Sequence, residues 1–328
     1  MKTALCVLAA TLPMAAQPKL LINAQVQTHS AAAGLESQFR PLLSAQPQPS
    51  WIGYSVPSVR NFNLGCDYVR DGFTSPGVVH LEPPDHAVIL FRVDQGAVNR
   101  IRTLSPDCEI DAGGVTVHWL NDVQPAQSIA LLETFITDRE RMGDSPVNAI
   151  AQHSDPAADQ ALERLLAPTQ PSTLRLRAVS ALGASRGHHG FEVLKRLIAN
   201  DPDERIRERA VSSLGNSREN EAFDLLSSIA RTDPNPRLRE QAISGLTRKS
   251  NPAVLATLSK VIESDSDLQV RRRAVSALQN LPDGAGVPLL IQVVKTTKDA
   301  ELRKHAMSTL GQSRDPRALA FFEEVLKR

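Results

Sequence analysis

The sequence predicts a mainly α-helical protein, a solenoid of stacked helix pairs preceded by a small α+β domain. Three observations predict it. One phrase returns five times, 32 residues apart and without insertion, as LRLRAVSALG, IRERAVSSLG, LREQAISGLT, VRRRAVSALQ and LRKHAMSTLG. Ahead of each phrase an apolar stripe recurs at helical spacing. Upstream of residue 123 the pattern changes to short alternating runs broken by turn residues. A fixed period of this size marks units that bury their apolar faces only against one another.

The N-terminus has the form of a signal peptide over residues 1–16. Met1-Lys2 supplies the charge, Ala4 to Leu12 the apolar run, and Pro13-Met14-Ala15-Ala16 the small-residue end. A run this short does not span a bilayer, and Cys6 lacks the small residues that a lipidation site wants before it. The alternative is an ordinary cytosolic N-terminus. With the signal removed, Cys66 and Cys108 are the two cysteines left, and in an exported domain they read as one disulfide. The other reading is two unrelated thiols.

Residues 17–123 form the α+β domain. Ala31 to Ala45 reads as a short helix with Leu35, Phe39, Leu42 and Leu43 on one side. Trp51, Ile52 and Tyr54 follow in a stretch punctuated by prolines, and 60–86 reads as loop. A hairpin comes next, with strands Ala87–Val93 and Val98–Leu104 around Asp94-Gln95-Gly96, then a further strand at 115–120.

Residues 124–328 form the solenoid. From Pro125, Ile129, Leu132, Phe135 and Ile136 share one stripe of a helix ending near Gly143. Val147 and Ile150 then fall in second-helix columns, so this pair reads as a degenerate first unit closing the stack. In the unit from Gly187 to Leu214, the first helix turns Val193, Leu194, Leu197 and Ile198 inward. Asp201-Pro202-Asp203 starts the second helix, which turns Ile206, Ala210, Val211 and Leu214 inward. Gly183, Gly215 and Gly311 read as helix stops.

The phrase carries three invariant columns: an alanine, a serine, and an arginine at Arg175, Arg207, Arg239, Arg271 and Arg303. At about 100° per residue the arginine lies on the apolar side of its helix, where an unpaired charge is costly. Asp201, Asp233 and Asp265 each stand six residues before the matching arginine. An Asp–Arg ladder stitching unit to unit follows, with the aspartates also able to cap.

Net charge is +1 over 328 residues, but its distribution is uneven. Residues 1–173 hold 11 Lys and Arg against 17 Asp and Glu, and residues 174–328 hold 26 against 19. That bias points toward an acidic partner and falls short of a nucleic-acid footprint. The outward side of the second helices collects Arg177, Arg205, Arg209, Arg237, Arg248, Arg273 and His305 around a floor of the five serines. This makes a shallow basic groove of about 40–50 Å at roughly 8–10 Å per unit. Its competitor is a solvated helix face whose serines let the stack curve.

Signals of catalysis are thin. His188-His189 has no partner at metal-ligand spacing, and neither a zinc-protease His-Glu motif, a phosphate loop nor a nucleophile elbow occurs. No catalytic residue, metal or cofactor is expected.

Asp201 with Ile206-Arg207, Asp233 with Leu238-Arg239 and Asp265 with Val270-Arg271 resemble the HEAT repeat, in the short form of phycobilisome-lyase-like proteins. The resemblance covers about residues 145–328 and departs from the pattern at Thr169 and Thr297, where the aspartate is missing. It implies a right-handed solenoid offering its second helices along a concave surface to protein partners. The segment from Gly34 to Pro57 is similar to the front of exported bacterial HEAT-repeat proteins.

The expected function is therefore a non-enzymatic, periplasmic or secreted scaffold for a protein or peptide partner, with acidic character favoured. Neither nucleic acid nor stable membrane insertion is expected. Two alternatives stand beside it: a lyase-like enzyme or chromophore-attachment factor, and a protein whose α+β domain binds while the solenoid is a spacer.

Overall fold

A computed structural model describes residues 21–45, 49–60, 64, 66, 84–137 and 145–327. The expected signal at 1–16, most of the expected loop at 60–86, and Gly143 lie outside them. Chain contacts divide the protein into two compact units, Met1–Arg164 and Leu165–Arg328.

In the first unit the elements are β1 (Leu21–Ile22), β2 (Gln25–Ser30), α1 (Leu35–Ser44), β3 (Ser50–Pro57), β4 (His86–Asp94), β5 (Ala97–Leu104), β6 (Ile110–Asp111), β7 (Thr116–Asn121), α2 (Pro125–Glu133), α3 (Pro146–Gln152) and α4 (Ala157–Leu165). Five strands make one sheet in the order β2-β7-β3-β4-β5, and β1 pairs with β6 as a short separate ribbon. β2, β7 and β3 run parallel, while β3, β4 and β5 alternate. The hairpin β4–β5 turns at Gln95-Gly96, both at positive φ.

β4 lies inside the sheet between β3 and β5, and Ala87 through Phe91 are buried on both of its faces. On one side Phe39 from α1 meets Phe91 edge-on at 4.9 Å, with Phe135 and Tyr54 completing the aromatic cluster. On the other side Val88, Leu90, Leu104, Cys108 and Trp119 form a second core, with Trp51 and Cys66 packed against it. Gly53 admits this arrangement, because a Cβ there would stand 2.5 Å from Leu90 and 3.2 Å from the Trp119 ring. Cys66 and Cys108 are bridged, with Cα atoms 5.3 Å apart.

Helices α2 and α3 belong to this sheet, so the helical segment after residue 124 does not open the repeat array. α2 also ends at Glu133, well before Gly143. A buried polar chain gives the reason for the attachment. Tyr54 Oη and Ser128 Oγ lie 2.8 Å apart, Ser128 Oγ and His153 Nε2 also 2.8 Å, and His153 Nδ1 lies 2.9 Å from the Ala149 carbonyl. A carbonyl only accepts, so Nδ1 carries the ring proton, Ser128 donates to Nε2, and Tyr54 donates to Ser128. Burial holds the Tyr54 hydroxyl far above its ordinary pKa, so it remains a donor.

The second unit continues with α5 (Ser172–Ser185), α6 (Gly187–Asn200), α7 (Glu204–Leu214), α8 (Glu221–Thr232), α9 (Pro236–Leu246), α10 (Ala253–Ser264), α11 (Leu268–Gln279), α12 (Val287–Thr296), α13 (Ala300–Gly311) and α14 (Pro316–Leu326). α5, α7, α9, α11 and α13 carry the repeated phrase and pack on one another in series, while α8 packs on α10 and α12 on α14. The result is a two-layer helical solenoid. The alanine column Ala178, Ala210, Ala242, Ala274 and Ala306 is fully buried, as contacts between neighbouring second helices require.

Two local expectations are corrected in part. Gly215 and Gly311 do mark helix ends, as the C-cap of α7 and the last residue of α13, but with ordinary backbone and no positive φ. Gly183 lies inside α5, where a Cβ would stand 2.7 Å from Ser213, and Gly215 makes room for the Arg248 guanidinium. The second helices also start later than Asp201-Pro202. Asp203, Asn235 and Asp267 are the capping residues, accepting from Arg205 N, Arg237 N and Gln269 N at 2.9, 2.9 and 2.7 Å.

Candidate functional site: the seams between second helices

Each invariant arginine is held by the turn that closes the first helix of a unit. Arg239 Nη1 donates to the Asp233 carbonyl at 2.9 Å, and Arg207 Nη1 to the Asp201 carbonyl at 3.3 Å. The carboxylates, however, do not serve the arginine six residues ahead. Asp201 and Asp265 accept instead from the arginine of the preceding unit, 26 residues back. Arg175 Nη2 donates to Asp201 Oδ2 with both side chains buried. Arg239 grips Asp265 through Nε–Oδ2 at 2.8 Å and Nη2–Oδ1 at 2.9 Å. Asp201 Oδ1 and Asp265 Oδ1 also accept from Asp203 N and Asp267 N at 3.0 and 2.8 Å. One aspartate thus shapes its own turn and fastens the unit before it.

The series is uneven. Thr297 stands where an aspartate would, and Asp299, two residues on, accepts from Arg271 Nη1 at 3.1 Å instead. Arg303 reaches the Thr297 carbonyl. Arg207 gains no carboxylate among the described residues, and its Nε is buried without a partner. Asp233 is occupied with its own turn, accepting from Asn235 N at 2.9 Å.

The outward columns separate into committed and uncommitted groups. Arg273 donates to Ser244 Oγ from Nε and Nη2 at 3.0 and 2.7 Å, and His305 Nε2 lies 2.8 Å from Ser276 Oγ. Arg248 Nη2 donates to the Ser212 carbonyl at 2.6 Å, and Lys249 reaches the Ser217 carbonyl. Ser244 Oγ is therefore a seam acceptor as well as a small side chain. Burial lowers the pKa of both Arg248 and Lys249, the latter also through Arg248. Burial, then the Arg272 charge, holds His305 below the usual histidine range, so it is neutral at pH 7. Arg177 is half-buried.

Arg205 and Arg209 are exposed one helical turn apart on α7, with no side-chain partner among the described residues. Arg237 is exposed on α9, its Nη1 3.9 Å from Glu208 Oε1. Over α7, bordered by α5 and α9, lies a cavity of about 280 Å³ lined by Leu176, Arg205, Glu208, Arg209, Ser212 and Gln241. Glu208 and Glu240 interrupt the basic face, and the column reading missed them. Their signal was available, since the column after the invariant arginine reads Leu176, Glu208, Glu240, Arg272 and Lys304.

His188 and His189 lie in the first turn of α6 and not in a loop, and His188 Nδ1 faces Glu219 Oε2 at 3.4 Å. Among the described residues no group of three or more His, Cys, Asp or Glu side chains could hold a metal ion. In the first unit a cavity of about 200 Å³ borders the disulfide, lined by Trp51, Leu90, Leu104 and Ile110 with Arg102 and Glu109 at its polar side.

A two-layer stack with one conserved guanidinium per seam defines a helical-repeat protein. The model of the HEAT-repeat family matches residues 169–247 and 255–328, and this part of the chain is a HEAT-repeat array. Similar solved structures include Escherichia coli YibA, 21% identical over 58% of this chain and 71% of that one, with a TM-score of 0.38. Human deoxyhypusine hydroxylase in complex with glycerol is 16% identical over 61% and 90%, with a TM-score of 0.32. The complex of CpcE and CpcF of phycocyanin lyase from Nostoc sp. is 18% identical over 63% and 88%, also at 0.32. These likenesses carry no weight for what this chain does. Comparison with curated proteins found no match.

Proposed function

We propose that the protein is a non-enzymatic exported scaffold that holds a protein or peptide partner of acidic character along the outward face of its second helices. HEAT arrays generally serve protein–protein interaction, which supports the reading. The observation that carries the reading is the pair Arg205 and Arg209, exposed on α7 with no side-chain hydrogen bond or ion pair among the described residues. Exposed guanidinium groups over a cavity suit carboxylates, which they bind through paired N–H donors. Export is supported by the Cys66–Cys108 bridge, since disulfides persist in oxidising compartments. No helix among the described residues is long and apolar enough to cross a membrane.

The test is affinity capture from a native extract by the full chain and by its Arg209→Glu/Arg237→Glu variant, quantified by mass spectrometry. The reading expects a defined set of partners to be lost in the variant. Identical sets would remove this face from the account. They would favour a second reading, supported by the cavity beside the disulfide, in which the α+β domain does the binding.

A further inference from the structure

The seams between second helices differ in how much of their polar chemistry is used internally. At the α9–α11 seam Arg273 is spent on Ser244, and at α11–α13 His305 is spent on Ser276. At the α5–α7 seam the equivalent Ser180 hydroxyl donates to the Leu176 carbonyl at 3.0 Å, as Ser244 does to Glu240, but among the described residues no Arg209 bond reaches it. At the α7–α9 seam Gln241 replaces the basic residue of that column, and Arg248, just past α9, is the cation that crosses to the Ser212 carbonyl.

The unspent groups cluster on one helix. Arg205 and Arg209 have no side-chain partner among the described residues. Arg207 Nε and Glu208 Oε1 are buried without hydrogen-bond partners, and the nearest cation to Glu208, Arg237, is too far at 3.9 Å to donate. An unsatisfied buried carboxylate oxygen is costly, and Glu208 lines the same 280 Å³ cavity as the two arginines.

We propose that the cavity over α7 binds an acidic peptide segment, with Arg205 and Arg209 gripping a side-chain carboxylate and Glu208 Oε1 accepting a backbone N–H of the same segment. This rests on the scaffold reading above and names the place and the chemistry within it. The cavity asks for three things at once: an anion beside the guanidinium pair, a donor for Glu208, and a small apolar contact for Leu176. A glutamate or aspartate in a peptide supplies all three through its carboxylate, its amide and its methylene. An inorganic anion supplies only the first and is repelled by Glu208.

The experiment is fluorescence anisotropy on the full chain with a labelled decapeptide of alternating Glu and Ala, its Gln-for-Glu counterpart, and a backbone N-methylated Glu peptide. The Glu peptide is expected to bind saturably, and both modified peptides to bind far more weakly. Arg205→Gln and Arg209→Gln should each weaken binding about tenfold or more, the loss expected of a charge-assisted hydrogen bond. Arg273→Gln, already spent on Ser244, should change it by less than about twofold. Inorganic phosphate should displace the peptide no better than chloride at equal ionic strength.

Equal binding of the Gln peptide, or displacement by phosphate, would overturn carboxylate-peptide recognition. Unchanged affinity of the N-methylated peptide would overturn the role of Glu208. If Arg205→Gln and Arg209→Gln bind normally while charge reversal still abolishes partner capture, this site falls and the scaffold reading survives. Absence of any saturable binding overturns the site outright.

Discussion

Arg239 and Asp265 form a two-pronged ion pair across a unit boundary, with Nε–Oδ2 at 2.8 Å, Nη2–Oδ1 at 2.9 Å and side chains only 10% and 5% exposed. The pair fastens α9 to the turn that ends α10. Desolvation of both charges is offset by the fork geometry and by the additional bonds that each partner makes to the backbone.

Breaking this pair on one side leaves the other charge buried. Arg239→Ala and Asp265→Ala should each cost about 3–5 kcal/mol in urea unfolding. Arg207→Met removes a guanidinium with a single long bond and should cost no more than about 1 kcal/mol. An equal loss at both positions would show that the invariant arginine acts through packing alone.

Ser128→Ala removes the buried hydroxyl that links Tyr54 and His153. Stability should fall by about 1–3 kcal/mol, read as the unfolding midpoint.

The Cys66–Cys108 bridge closes a 42-residue separation. In the chain-entropy model a loop of this size contributes about 3–4 kcal/mol. Cys66→Ser/Cys108→Ser should therefore unfold at lower denaturant than the oxidised protein and match the wild type under reductant. Coincident curves for oxidised and reduced wild type would contradict the bridge.

His118 is the pH-sensitive point of the sheet. Its Nδ1 lies 3.1 Å from His29 Nε2, and burial first, then the His29 charge, holds its pKa below the ordinary 6.5. The unfolded chain therefore binds the proton more tightly than the folded one. The neutral ring's contribution is complete above about pH 6.5 and is lost as pH falls through the lower folded value. The unfolding midpoint should drop on going from neutral to mildly acidic pH, and His118→Gln should flatten that drop. A midpoint that rises on acidification would reverse the sign argued here.

Much of the second unit was legible, because an α-helix exposes and buries side chains at a period that letters record directly. The columns of Val193, Ala210 and Leu214 needed no coordinates to be placed inside. The sheet was less legible. β2 is largely exposed and pairs in parallel with β7, 91 residues on at Gln25–Thr116, and such a partner leaves no local trace. β3 was hidden among prolines. Ser128 and His153 were missed because one small hydroxyl in an apolar stripe and one histidine at a helix end carry no periodic signal.

The sequence by itself determined that five units repeat, which helix faces are buried, and that the arginine on the apolar side needed a polar partner. Only the tertiary structure decided which partner. The choice of Asp265 over Asp233 for Arg239 depends on how far each unit is advanced along the stack, and that displacement arises from packing between surfaces distant in sequence. The same displacement leaves α7 with polar groups that no neighbour satisfies, although its letters differ little from those of the helices on either side.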